Sequence, residues 1–592
     1  MLRSFWHKLS PHCNRRFHST TKMEIQLTDR EKDLFAVLLG CVKHNNKNTT
    51  LRVAGGWVRD KLLMQQSVDI DIALDDQTGT EFANSLNDYL KYLNMETRTI
   101  CVIQANPDQS KHLETANVRV MGYEIDCVNL RAETYTDSRI PEIRNGTAHE
   151  DALRRDFTIN ALFYNLNTEQ VEDFTEQGIP DLQKGLIRTP ISPHITFQDD
   201  PLRILRAIRF ASRFNFTLDA ELVEAAQSPA IQQALNEKVS RERVYKECEG
   251  CMSKGNSRPY LAFHYMHRLN LLGSILPVES VLHHFPLVSS ATMSPSHVHD
   301  LQSTWTQHAI RSLYWVNLLL SEKHQLHVGG PDSVAGVQSV GGDIVALSAE
   351  ALATPKQGAQ VKVLFWSAAT ARFAGLQVTE KGKTVPFVPV LLRESLKMEN
   401  VAMKQVQTML ECVDKFTALA DASESAAVPI ETAGLLLRTC KELWRDCILL
   451  ACSLALSSTS SSLTISNAGS AVQCAGVKRN LSDSVVKGNG EGAAGAAVDS
   501  DNAFEDTTLT PEQVHIVNKY RRLEHHIHDM GLDNIWSLAP LLNGKDLMKE
   551  LGVKGPAVGN LLEQQILWQI RNQANPDREA CLAYLRTCLT SK

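Results

Sequence analysis

Hydrophobic and polar positions along the chain fall into two regimes. From Glu24 to about Thr189, strand-like runs alternate with helical segments. Leu51–Ala54, Ile70–Leu74, Val118–Met121 and Tyr123–Leu130 have the short apolar or alternating pattern of strands. After about Ile195 the strand signals thin out and apolar residues recur at helical spacing. Two stretches break that helical region. Residues 329–342 are rich in Gly, Ser and Val and predict a surface loop or insertion, placed near 329–360. Residues 457–508 carry a Ser/Thr run and then Lys487–Ala497, where Gly and Ala interleave. That composition buries too little apolar surface to order itself, so a low-complexity linker is expected. Helical patterning returns from Thr510 to Cys588, predicting a small tail. No fixed-period repeat is evident.

Composition changes this picture little. At about 150 residues per domain, 592 residues suggest roughly four structural units. With 43% hydrophobic and 22% charged residues the chain is of ordinary globular type. A net charge of −6 excludes a globally basic nucleic-acid binder and leaves room for a local basic groove. No run of 18 apolar residues occurs, so no membrane-spanning helix and no membrane partner is expected. The 13 cysteines have no repeated spacing and read as reduced thiols rather than a disulfide framework. Residues 1–22 hold Arg3, Lys8, Arg15, Arg16 and Lys22 among Ser and Thr, with no acid before Glu24. This is the composition of an organelle transit peptide, mitochondrial or plastid. Of the two we expect a mitochondrial address. A second start at Met23 would leave a cytoplasmic or nuclear form.

The densest chemistry lies in Leu51-Arg-Val-Ala-Gly55-Gly56-Trp-Val-Arg59-Asp60, followed by Asp69-Ile-Asp71. Two glycines between a strand and a helix let backbone N–H groups approach an anion, and Arg59 can add a charge to a phosphate. On a strand, residues two apart share a face, so Asp69 and Asp71 point into one space. Such a pair suits a hard cation; Mg²⁺ takes one or two carboxylates plus substrate phosphates. Asp126, on another predicted strand with Glu124 and Val128 on its face, is the third candidate ligand. The competing reading of each carboxylate is a solvated strand edge.

Gly55-Gly56-x-Val-Arg59-Asp60 with Asp69-x-Asp71 resembles the signature of tRNA nucleotidyltransferases, the CCA-adding enzymes, of the bacterial and eukaryotic class. Their head belongs to the polymerase-β nucleotidyltransferase superfamily. Further blocks follow in family order. Arg154-Arg155-Asp156-Phe-Thr-Ile-Asn160 looks like the ribose- and triphosphate-contacting motif, and Asp181-x-x-x-Gly185 with Ile187-Arg-Thr-Pro190 like the connector from head to neck. Asp199-Asp200-Pro-Leu-Arg203-Ile-Leu-Arg206-Ala-Ile-Arg209 looks like the nucleotide-templating helix, and Val239-Ser240-Arg-Glu242-Arg243 like the motif that steadies it. Likeness is close over about 50–250; Asn543-Gly-Lys-Asp546 and Leu551-Gly-Val-Lys-Gly-Pro556 extend it weakly into the tail. Met64 stands where the family usually has glycine, which leaves the local turn open. The resemblance implies an α+β chain: a polymerase-β-like mixed-sheet head over 23–190, then an elongated all-α neck over 191–250, body over 251–456 and tail over 509–592.

At about 100° per residue, Arg203, Arg206, Arg209 and Arg213 fall within an arc of roughly 120°, with Ile204, Ala207, Ile208, Ala211 and Phe214 assigned to the opposite side. Guanidinium forks match phosphate oxygens; a solvated basic stripe is the alternative. Asp200 before Pro201 can be a helix cap. It can also read a base. A carboxylate accepts and an arginine donates, so Asp200 with Arg203 complements the N4 donor and N3 acceptor of cytosine, and the N6 donor and N1 acceptor of adenine. Uracil and guanine present the opposite order.

The reaction implied is nucleotidyl transfer: an RNA 3′-hydroxyl attacks the α-phosphorus and pyrophosphate leaves. Asp69 and Asp71 would hold two Mg²⁺ ions about 4 Å apart. Gly55, Gly56, Arg59, Arg155, Arg206 and Arg209 would position the triphosphate, and Asp156 and Asn160 the sugar. The expected partners are the acceptor end of tRNA, CTP and ATP, not DNA. The motifs are shared with bacterial poly(A) polymerases, which remain the alternative; a catalytically silent tRNA-binding protein is a second. A phosphohydrolase built on His299-Asp300 lacks further ligands. Cys248-Glu-Gly-Cys251 and the His525, His526, His528 group read as a helix end and an exposed helix face.

Overall fold

In the computed structural model the described residues are 24–67, 69–97, 100–103, 115–134, 142–253, 257–288, 295–326, 354–425, 428–459, 509–573 and 576–590. The expected transit peptide and the Gly-rich run 329–342 lie outside them, as does the linker from 460 to 508. Two boundaries shift. A helix begins at Pro355, inside the expected insertion, and another runs on to Thr459, inside the expected linker. The chain divides into two compact units, Met1–Cys248 with Arg268–Ser274, and Glu249–His267 with Ile275–Lys592.

The first unit begins with a mixed sheet. Its strands and the hairpin beside them are β1 (Leu51–Ala54), β2 (Ile70–Leu74), β3 (Cys101–Ile103), β4 (Thr115–Val120), β5 (Tyr123–Asn129), β6 (Arg131–Thr134), β7 (Glu142–Asn145), β8 (Phe163–Asn165) and β9 (Gln170–Glu172). Seven of them form one sheet in the order β3-β4-β5-β2-β1-β8-β9; β2 and β5 run parallel, and the other neighbours antiparallel. Alternation decides which face is covered. Ile70, Ile72 and Leu74, Ala116, Val118 and Val120, Ile125 and Cys127 are all buried on one side. Helices α1 (Asp29–His44) and α3 (Gly79–Tyr92) serve that side: α3 lies against β4 and β5, and α1 against α3. Each starts with a capping box, Thr28 with Glu31 and Thr78 with Glu81, which satisfies the free N–H groups of the first turn. A Cβ on Gly79 would sit 2.0 Å from the Cys127 carbonyl oxygen, so only glycine lets α3 start against β5.

The opposite face carries Asp71, Asp126 and Asn117. Beside them, small residues, Ala54, Ala73, Ala148, Ala152 and Ala161, pack with Leu130 and Phe163 into a local core. Between β1 and β2 lies α2 (Gly56–Leu62). Met64, just after it, adopts φ 58 and is 71% exposed. The turn that glycine would make is therefore kept, with methionine bearing a strain of about 1 kcal/mol. Three strand limits differ from the sequence pattern, one of them the end of β5, which stops at Asn129 and not Leu130. β4 starts three residues earlier than expected and stops before Met121, because Met121 (φ 51) and Gly122 (φ 85) turn the chain.

Helices α4 (Ala148–Leu153), α5 (Gly178–Lys184), α6 (Pro193–Asp199), α7 (Leu202–Phe214), α8 (Ala220–Gln227), α9 (Pro229–Lys238) and α10 (Arg241–Ser253) follow, with one short parallel pair, β10 (Leu186–Ile187) and β11 (Thr217–Leu218). The second unit is helical apart from a hairpin, β12 (Gln377–Glu380) and β13 (Lys383–Pro386), which the helical spacing did not predict. Its turn, Lys381 (φ 48) and Gly382 (φ 74), has the two positive φ angles that match strand twist. Among the described residues no helix is long and apolar enough to cross a membrane.

Candidate functional site

Strand register builds the acidic part of the site. Asp71 on β2 pairs with Asp126 on β5, and Asp126 pairs in turn with Asn117 on β4, so all three side chains leave the same face. Asp69 directly precedes β2. Asp69 and Asp71 are exposed and Asp126 is half-buried. The Asn117 amide donates to Asp126 Oδ1 at 2.8 Å, drawing that carboxylate toward β4 rather than closing it onto the pair. Solvent reaches Asp71 from one side while protein crowds the others. This desolvation, with Asp126 and Asp69 adding and Arg155 opposing, pushes the Asp71 carboxyl up to about 6. Carboxylates gathered at one open face are a donor set for a divalent cation. Asp69, Asp71 and Asp126 are the residues that can hold one.

The glycine turn makes room for an arginine. Gly55 takes φ 68, and a Cβ there would come 2.7 Å from Arg155 Nη1. Arg155 is fixed by its ion pair with Asp151 (2.9 Å) and lies over the Phe163 ring at 5.0 Å. Asp151 also binds Arg154, and those two arginines hold its carboxyl below the usual range although burial opposes them.

Behind this lies a buried polar chain. Arg59, 4% exposed, pairs with Asp60 at 2.7 Å and donates to Asn160 Oδ1. Asn160 Nδ2 donates to Asp156 Oδ1 (2.9 Å), Asp156 pairs with Arg206 (2.7 Å), and Glu247 on α10 receives Arg209 (2.6 Å) and, more distantly, Arg206 (3.7 Å). Arg59 also lies over Phe210 and Phe214, 4.9 and 4.7 Å from their centroids. Phe214 therefore faces the arginines rather than standing opposite them: helix phase puts it beside Arg203, and its ring meets Arg59 and Arg213. The bonds to Asp60 and Asn160 use three of the five N–H groups of Arg59, so a triphosphate contact would have to come through the remaining two. Asp156 and Asn160, both buried, are likewise committed to the chain.

Burial works to raise the Asp156 carboxyl, but Arg206 and the Asn160 amide hold it down at about 2. Its folded value lies below the ordinary 3.8, so the stabilisation is complete above 3.8 and is lost as pH falls toward 2. Asp156→Asn should therefore lose about 2 kcal/mol at neutral pH and match the parent near the acid limit, as read from urea midpoints across pH.

Likeness to known proteins bears on this site. Residues 51–188 match the family model of the poly A polymerase head domain. Across the whole chain, the mitochondrial CCA tRNA nucleotidyltransferase of Candida glabrata is 31% identical over 586 residues, covering 95% of this chain and 96% of that protein. The chain belongs to the CCA tRNA nucleotidyltransferase family. The fold agrees: a crystal structure of the Bacillus stearothermophilus CCA-adding enzyme in complex with CTP superposes with TM-score 0.54 at 15% identity, over 95% of this chain and 99% of that one. Poly(A) polymerase I of Salmonella typhimurium is 29% identical, but over only 38% of this chain and 46% of its own length. The CCA reading therefore stands above the poly(A) alternative, whose likeness spans a part that both kinds share.

The two residues expected to read the base, Asp200 and Arg203, stand at the start of α7. Asp200 Oδ1 accepts from the Leu202 N–H at 3.2 Å, so a capping bond exists, while Oδ2 is held by Arg243 at 2.9 Å. Arg203 donates to the Arg154 carbonyl at 2.9 Å. The sequence did not single out Asn117, Asp151 or Glu247. Glu247 is 38 residues from Arg209 and only the fold brings them together, whereas Asn117 faces Asp126 across neighbouring strands and Asp151 stands three and four residues before Arg154 and Arg155, a spacing the sequence did offer.

Proposed function

We propose that this protein adds C, C and A in turn to the 3′ end of tRNA, without a template, from CTP and ATP and with release of pyrophosphate. The observation that carries the reading is likeness to a CCA tRNA nucleotidyltransferase along nearly the whole chain, with Asp71 and Asp126 in register on the open face of the head sheet. Asp69 and Asp71, with Asp126 as third ligand, are proposed to hold Mg²⁺. A Mg²⁺ ion held by these carboxylates would supply positive charge for the attacking 3′-oxygen and the leaving pyrophosphate. Gly55, Gly56 and Arg155 receive the triphosphate; Arg206 and Arg209 face it from α7, fixed by Asp156 and Glu247. Asn160 and Asp156 set the wall against the sugar and keep Arg59 in place. Asp200 and Arg203 read the base edge. The helical body and tail grip the acceptor arm through phosphates.

Incubation of purified protein with tRNA lacking its last three nucleotides tests this. CTP alone should add two residues, ATP alone none, and both together three. Extension by ATP alone would overturn the reading. For location we propose the mitochondrion, on the basic residues 1–22 and the mitochondrial naming of relatives, with a second form from Met23 in cytoplasm or nucleus. A reporter fused to residues 1–22 that stays cytosolic would refute the address.

A further inference from the structure

Three thiols that share no sequence motif converge in the second unit. Cys412 lies on the helix Asn400–Ser425, Cys440 ends the helix Ile430–Cys440, and Cys447 stands near the start of Trp444–Thr459. Their sulfurs all lie within 4.8 Å of one another, and each residue is at most 2% exposed. None is in a disulfide. Among the described residues this is the one group of three or more His, Cys, Asp or Glu with donors so close. Cys248 and Cys251, whose spacing resembles a metal motif, are buried but are not part of it.

We infer that Cys412, Cys440 and Cys447 form a binding site for a single thiophilic d¹⁰ cation of the zinc or monovalent-copper class, tying three helices together. Three sulfurs about 2.3 Å from one ion stand about 4 Å apart, so closure needs a movement under about 1 Å. Sulfur donors alone select soft ions over Mg²⁺ or Ca²⁺. Structural zinc normally takes four ligands, whereas the cluster supplies three, which suits trigonal monovalent copper. Each thiol that binds gives up its proton, and Lys415, one turn beyond Cys412, offsets part of the remaining charge.

The test is anaerobic titration of the reduced full chain, with Cd²⁺ as optical probe and Zn²⁺ and Cu⁺ in separate arms. One Cd²⁺ per chain should bind with thiolate-to-metal charge-transfer absorption and raise the thermal midpoint. The Zn²⁺ and Cu⁺ arms show which ion competes better. Cys412→Ser and Cys447→Ser should each lose at least about tenfold in affinity, and Cys248→Ser with Cys251→Ser should lose none. CTP addition to tRNA reports that each variant is folded; should a serine variant fail it, Cys412→Ala and Cys447→Ala replace it. Unchanged Cd²⁺ affinity in folded triad variants, or no saturable binding to the native chain, overturns the site and leaves three packed thiols. Either failure would leave the nucleotidyl-transfer reading untouched.

Discussion

Replacing Asp71 by Ala should lower addition of both C and A by at least about a thousandfold while leaving the fold intact. Both steps share the one acidic cluster, so neither nucleotide is spared. The fold survives because Asp71 is a burden without a cation: crowding by protein, together with Asp126 and Asp69, lifts its carboxyl from 3.8 to about 6. For an acid raised on folding, ionisation opposes the folded state. The penalty is full above about 6, shrinks as pH falls and is absent below 3.8. Metal-free Asp71→Ala protein should therefore unfold at an equal or higher urea concentration than the parent at neutral pH, and the difference should vanish in acid. Single-turnover transfer and metal-free unfolding, measured on the same preparation, check both halves. Retained transfer would remove Asp71 from the catalytic cluster.

The other large effect is one of base choice. Exchanging the pair, Asp200→Arg with Arg203→Asp, reverses the order of donor and acceptor offered to the nucleotide. Uracil (O4 acceptor, N3–H donor) and guanine (O6, N1–H) become the matched bases. The ratio of UTP and GTP to CTP and ATP incorporation should rise by on the order of a hundredfold or more, because unmatched buried polar groups are heavily penalised. Absolute rates will drop for two reasons visible in the structure. The bond from Asp200 to the Leu202 N–H is lost, at about 1 kcal/mol. The incoming arginine also meets Arg243, which now pairs with Asp200. Adding Arg243→Gln relieves that repulsion and separates it from the change of preference. A uniform fall for all four nucleotides would reduce Asp200 to a helix cap.

The sequence disclosed most about residues whose roles follow from local spacing. β1 and β2 were legible to the residue because their apolar runs are short and bounded by polar turns. The shared face of Asp71 and Asp126 followed from parity in each strand, and the register only had to align them. Phe210 and Phe214 were harder. On a helix that buries most of its apolar residues, an aromatic reads as core, yet here both rings stack with arginines. The partner of Arg209 was not legible: Glu247 looks like any helical carboxylate until the fold sets it against an arginine 38 residues away. Asp151, by contrast, stands at helical spacing from Arg154 and Arg155. The same holds for the three cysteines, which come from three helices with no common spacing, while the pair that had the spacing lies apart.

Central to this account is that the protein stops after CCA. Sequencing the 3′ ends of tRNA extended with CTP and a large excess of ATP tests it most directly. Ends that terminate at CCA, with no further A, are the predicted result. A ladder of added adenosines would contradict it and return the chain to the poly(A) polymerases.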